Sequence, residues 1–140
     1  MKKFFVCLAL LASVSVFAGV DSRIRNVMKE LNTKYEVLDD GIYCKLKGYD
    51  VLLLTTGQTS LRDKGYPIAI VCKYNGTVSE NVKDWMLKSS TSDNVGYWGL
   101  NQGKPCYKIV LPSDYTEKEL LLAMVVLVMK AEEFDKEFNR

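Results

Sequence analysis

The chain of 140 residues contains no histidine. That removes the commonest general base, the Ser-His and Cys-His nucleophile pairs and most zinc sites. Carboxylates, lysines and thiols are what remain. Asp39-Asp40 and Glu132-Glu133 are adjacent acids, one pair beside a turn glycine and the other near a helix end. Both are solvated settings that do not make a catalytic acid–base pair. Cys7, Cys44, Cys72 and Cys106 are too widely separated for a Cys-x-x-Cys redox motif. Lys45, Lys47 and Lys73 read as scattered lysines on a wet sheet face. Trp85, Tyr97 and Trp98 are able either to line a small-ligand pocket or to fill a core. The expectation is a protein that is not an enzyme and carries no cofactor or metal.

The opening MKKFFVCLALLASVSVFAG has two lysines, an apolar run from Phe4 to Phe17 and small or short-branched residues at Val16 and Ala18. This is the layout of a secretory signal peptide, residues 1–18, cut after Ala18; the run is shorter than the roughly 20 residues that span a bilayer. The mature chain, residues 19–140, has the length of one domain and is expected in the periplasm or outside the cell, with no membrane span. Loss of Lys2 and Lys3 lowers the basic count from 19 to 17, equal to the 17 acidic residues. No net positive charge or basic cluster is left to hold a nucleic acid.

Ile24, Val27, Met28 and Leu31 recur at helical spacing, which predicts a helix over Asp21 to Asn32 with Asp21 or Ser22 as its cap. Turn signals at Asp39-Asp40-Gly41 and Lys47-Gly48 bound strands at Ile42 to Lys47 and Tyr49 to Thr55, with a short extended piece at Tyr35 to Leu38 before them. In the first of these strands Ile42, Cys44 and Leu46 form a dry face, with Tyr43, Lys45 and Lys47 opposite. Thr56 to Pro67 reads as a loop and Ile68 to Tyr74 as a central strand. Thr77 and Glu80 have capping-box spacing ahead of a helix that carries Val82, Trp85 and Met86 to about Ser89.

In GYWGLNQGKPCYKIVLP, Val95 to Leu100 and Cys106 to Leu111 read as a hairpin around Asn101 to Pro105. Gly96 and Gly99 in it leave room for a helix or mark a bulge. Thr116 and Glu119 form a second capping box before LLLAMVVLVM, Leu120 to Met129. Ten apolar residues in a row put hydrophobic groups on every side of that helix, so one sheet face cannot hide them all. Leu121, Val125 and Val128 are the candidate surface for a partner polypeptide or a second copy in a homodimer. The three mature cysteines read first as buried thiols. If a disulfide forms, Cys72 and Cys106 are the candidates, because Cys44 and Cys72 are separated by a strand and so about 10 Å apart, beyond the ~7 Å limit between bridged α-carbons.

The helix NVKDWMLKSS, the hairpin NVGYWGLNQGKPCYKIVLP and the closing TEKELLLAMVVLVMKAEEFDKEF together resemble the YbjN family, from about Asn26 to Phe138. Its members include putative sensory-transduction regulators with a fold like type III secretion chaperones. The resemblance implies an α+β domain whose helices cover an antiparallel sheet of five strands, in the order α-β-β-β-α-β-β-α, often dimeric and without catalytic residues. The signal peptide departs from the cytoplasmic setting of secretion chaperones. The function expected is a periplasmic protein-binding, adaptor or chaperone-like module. The alternative is a small-ligand-binding or stress-response protein with a pocket at Trp85, Tyr97 and Trp98.

Overall fold

The computed structural model describes residues 21–54, 65–92 and 95–139. The expected signal peptide, its expected cleavage point and most of the Thr56 to Pro67 segment lie outside the described residues. Among these residues three helices, α1 (Ser22–Glu30), α2 (Glu80–Thr91) and α3 (Glu117–Phe138), accompany six strands: β1 (Tyr35–Val37), β2 (Gly41–Leu46), β3 (Tyr49–Leu54), β4 (Gly65–Val71), β5 (Tyr97–Asn101) and β6 (Lys104–Pro112). They form one open antiparallel sheet in the order β1-β2-β3-β4-β6-β5. The class is α+β.

Among the described residues six strands replace the five expected. Tyr35–Val37 is a full edge strand, with Tyr35, Glu36 and Val37 opposite Cys44, Tyr43 and Ile42. β4 starts at Gly65, earlier than Ile68, and takes in Pro67. That is possible because the last β3 pair is Leu53 with Ile68, so proline's missing N–H falls beyond that ladder. The hairpin turn is also tighter than expected. Only Gln102 and Gly103 sit between the strands, at φ +51° and +79°, the type I′ signature. Gly103 therefore fills a left-handed position that costs other residues energy. Gly96 has a different role, since a β-carbon there would sit 2.3 Å from the Lys108 carbonyl oxygen of β6. It permits close approach to a strand, not to a helix, whereas a β-carbon on Gly99 would meet nothing within 4 Å.

Alternation assigns the faces. Ile42, Cys44, Leu46, Tyr49, Val51, Leu53, Ile68, Ile70, Tyr107, Ile109 and Leu111 point to the side where the helices pack and belong to one core cluster with Val27, Met28, Val82, Met86, Leu120, Met124, Leu127 and Phe134. The expected dry side of β2 is this one. On the other face the register sets Tyr43, Leu52, Ala69, Lys108 and Tyr97 in one row across the sheet.

Helix ends follow the sequence unevenly. Asp21 caps α1, accepting from the Arg23 N–H at 2.9 Å, and Thr116 caps α3, accepting from Glu119 N–H at 3.1 Å. The Thr77–Glu80 box does not form. Ser79 takes the cap position without a side-chain bond, and Glu80 pairs with Lys83 at 3.6 Å.

The cap of α1 also ties it to the β6–α3 turn. The Arg23 guanidinium binds the Asp21 carboxylate, donates to the Ser113 and Tyr115 carbonyls and lies 3.7 Å over the Tyr115 ring, whose hydroxyl donates to Asp21. The hydrogen bond from Arg23 holds the Asp21 carboxyl below the ordinary carboxylate range. A value depressed in the folded state stabilises above the unfolded pKa, near 4, and is lost as pH falls through the folded value. Asp21→Asn should thus cost about 1–2 kcal/mol at about pH 7 and close to nothing at about pH 2, as read by urea unfolding. A cost independent of pH would contradict this role for the charge.

Candidate functional site

α3 is the element to build from. Its capping box fixes the start, and a period of 3.6 residues distributes ten consecutive apolar side chains around the whole circumference. Leu120, Ala123, Met124, Leu127, Ala131 and Phe134 face the core and are buried. Directly opposite, Leu122, Val125 and Met129 are 56%, 47% and 54% exposed. Leu121, Val126 and Val128 flank them, half-buried. α1 packs along one side of α3, with the Asn26 amide donating to Glu117 at 2.6 Å, but it is too short to cover the outer stripe.

Between α3 and the β2–β3 corner runs a groove of about 330 Å³. Its apolar walls are Leu31, Leu46, Met124, Val125, Val128 and Met129, and Lys45, Lys47 and Glu132 stand at its rim. The methionines give it side chains that repack cheaply around different shapes. Lys47 spans toward Glu132 at 3.8 Å and Lys45 toward Asp50 at 3.9 Å, in pairs whose side chains are all more than half exposed. Such pairs contribute about 0–1 kcal/mol and exchange readily for charges on a docking chain.

Of the surface expected from sequence, the structure brings Val125 and Val128 together in this groove and leaves Leu121 half-buried beside the same stripe. Leu122, Met129, Leu31 and Leu46 were missed. Leu122 and Met129 are recoverable from a helical projection centred on Leu120 and Leu127; Leu31 and Leu46 arrive only through the tertiary fold.

The aromatic pocket is not assembled. Trp85 and Trp98 pack on each other at 5.2 Å and on Phe134 at 5.7 and 5.6 Å, so their rings occupy the space between α2, β5 and α3. Tyr97 follows strand alternation to the opposite face and is exposed. Serines at the end of α2 fix the tryptophan: Ser90 Oγ accepts from the Trp98 backbone N–H at 2.8 Å and Ser89 Oγ from its indole N–H at 3.1 Å.

That backbone bond also occupies one outward N–H of edge strand β5, which is five residues long, and the other edge, β1, is three residues long. Neither edge offers a long free ladder for an added strand.

The candidate disulfide is not made either. Val71 lies opposite Cys106, so Cys72 and Cys106 point to opposite faces of the sheet, and Cys44, Cys72 and Cys106 are all buried free thiols. Burial raises each thiol, Cys44 to about 12. A chain beginning at Gly19 should therefore resist alkylation while folded and take up three labels when unfolded, with or without prior reduction. Extra labels appearing only after reduction would contradict the free thiols.

The lysines are scattered, as expected. Lys45 and Lys47 have the acidic partners above, and Lys73 lies 5.6 Å from the Tyr49 ring centroid. Asp39 and Asp40 are exposed at the β1–β2 bend, and Glu133 pairs with Lys130 at 3.5 Å. A second depression, at the end of α3, is lined by Tyr49, Glu132, Asp135, Lys136 and Asn139. Its groups satisfy one another: the Tyr49 hydroxyl donates to Asp135, and the Asn139 amide donates to Asp135 at 2.6 Å and to the Lys73 carbonyl at 2.8 Å. Burial first, and then Asp135, pushes the Tyr49 hydroxyl up. These contacts fasten the last turn of α3 to β3 and the chain after β4.

Among the described residues no helix is long and apolar enough to cross a membrane. No family model, curated protein or solved structure matches the chain.

Proposed function

We propose that this protein is a non-enzymatic polypeptide-docking module, an adaptor or chaperone-like protein of the YbjN type that works outside the cytoplasm once residues 1–18 are removed. The single observation that carries the reading is the outer stripe of α3, with Leu122, Val125 and Met129 each about half exposed beside an apolar groove. An apolar helix face bordered by a methionine-rich groove and a charged rim suits an amphipathic segment that buries two or three side chains. The short edge strands favour this mode over strand addition. Likeness to secretion chaperones, with helices on one face of an antiparallel sheet, belongs to the same proposal.

The test is a cross-linked pull-down with the tagged chain from Gly19, comparing wild type with Val125→Asp at equal folded stability. One protein captured by the wild type and lost with the variant supports docking on α3. Capture that is indifferent to Val125 contradicts it. A second reading, a small apolar ligand in the same groove, draws on a volume of about 330 Å³, near the lower end for ligand sites. Such a ligand would raise the unfolding temperature by mass action in a thermal-shift screen of lipid and metabolite extracts.

A further inference from the structure

We infer that the outer face of the sheet, opposite the helices, is an interface with a second copy of this chain, packed sheet on sheet. The inference stands apart from the docking reading, because α3 lies on the other face. Composition, area and charge carry it.

An antiparallel sheet with one solvated face alternates apolar residues inward with polar residues outward. β4 and β6 depart from that rule. Their outward residues include Ala69, Val71, Cys106 and Val110, with Val71 opposite Cys106 and Ala69 opposite Lys108. Leu52 continues the apolar surface on β3 and Tyr97 on β5. Tyr97 and Val110 are 46% and 37% exposed, and the described helices all pack against the opposite side of the sheet.

The face has the size that a stable dimer needs. β2, β3, β4 and β6 run for six, six, seven and nine residues in a six-stranded sheet. At about 3.3 Å per residue and about 4.8 Å per strand, this makes a rectangle of roughly 20 Å by 29 Å, or ~580 Å² in projection. Side-chain relief raises that toward the ~800 Å² that each partner contributes to a standard interface. Two such faces stack about 10 Å apart with their side chains interdigitated.

Charge fixes the occupant as a second copy. Lys108 is half-buried at the centre of the apolar surface and forms no ion pair among the described residues. Asp50 lies on β3, two strands away in the same sheet, and its side chain is 51% exposed with only Lys45 near it, at 3.9 Å. A two-fold axis along β4 sets β3 of one copy over β6 of the other. Lys108 then lies over Leu52, one outward position or about 7 Å from Asp50, which a lysine side chain spans. Symmetry forms the pair twice, as an interface between identical patches requires. Both α3 stripes point away from this interface, so the dimer presents two docking faces.

Sedimentation equilibrium of the chain from Gly19, which holds every described residue, tests the inference. The wild type should be dimeric at about 10 μM. Val110→Lys should weaken the dimer at least ~30-fold, while Val125→Asp on α3 leaves it unchanged. Lys108→Glu and Asp50→Lys should each weaken it at least ~10-fold, and the two together should return it to within about 3-fold of wild type. Near-UV circular dichroism checks that each variant folds. Should one fail to fold, the wild type decides: Lys108 should acetylate at least ~5-fold more slowly at about 100 μM than at about 0.1 μM, with exposed Lys118 as the indifferent control. A wild type still monomeric at about 100 μM overturns the inference. So does a dimer lost with Val125→Asp but kept with Val110→Lys, a double variant no tighter than its parents, or Lys108 acetylation that ignores concentration.

Discussion

Phe134→Ala in the chain from Gly19 is expected to lower the unfolding free energy by about 3–5 kcal/mol, the usual cost of emptying a closed core of a large aromatic. Phe134 is fully buried and is the ring on which the others converge: Tyr74 at 5.4 Å, Trp85 at 5.7 Å, Trp98 at 5.6 Å and Phe138 at 4.8 Å. It therefore joins the end of α3 to α2 and to β5. No neighbouring side chain can fill the space without leaving another of these contacts, so the cavity term is added to the transfer term. Urea unfolding followed by tryptophan emission reads the loss, since both tryptophans belong to the cluster. A loss below about 1 kcal/mol would mean that the cluster is not closed around this ring.

Val125→Asp is expected to do the opposite: to leave stability within about 0.5 kcal/mol of wild type while weakening partner capture by about 30-fold or more. Val125 lies on the outer stripe, about half exposed, where a carboxylate stays hydrated. Two residues on, Leu127 is fully buried, so Leu127→Asp should prevent folding at ordinary temperature. The contrast separates a surface that exists to be covered from one that holds the fold. Equal destabilisation by the two variants would place Val125 in the core and remove the docking surface.

Much of this arrangement is legible in the sequence, for identifiable reasons. The β2 faces follow from Ile42, Cys44 and Leu46 alternating with Tyr43 and Lys45, and α1 from Ile24, Val27 and Met28, because each pattern has one buried side and one wet side. The apolar excess of α3 is visible as ten consecutive hydrophobic residues, and the structure leaves part of it uncovered, as the sequence predicts. What fails depends on partners distant in the chain. Tyr35 to Val37 is too short to read as a strand until β2 is beside it. Pro67 argues against a strand until the β3 ladder is seen to stop at Ile68. Trp85 and Trp98 read more readily as core than as a pocket, and core they are; the pocket alternative closes because Phe134, from another helix, fills the space between the elements. The Cys72–Cys106 pairing fails on strand alternation, which a register off by one residue would have reversed.

The central claim is that the outer face of α3 docks a polypeptide, and affinity tests it most directly. A labelled segment of the captured partner, titrated by fluorescence anisotropy with the chain from Gly19, should bind the wild type at least 30-fold more tightly than Val125→Asp, about 2 kcal/mol. Identical affinities for the two folded proteins would place the docking surface elsewhere.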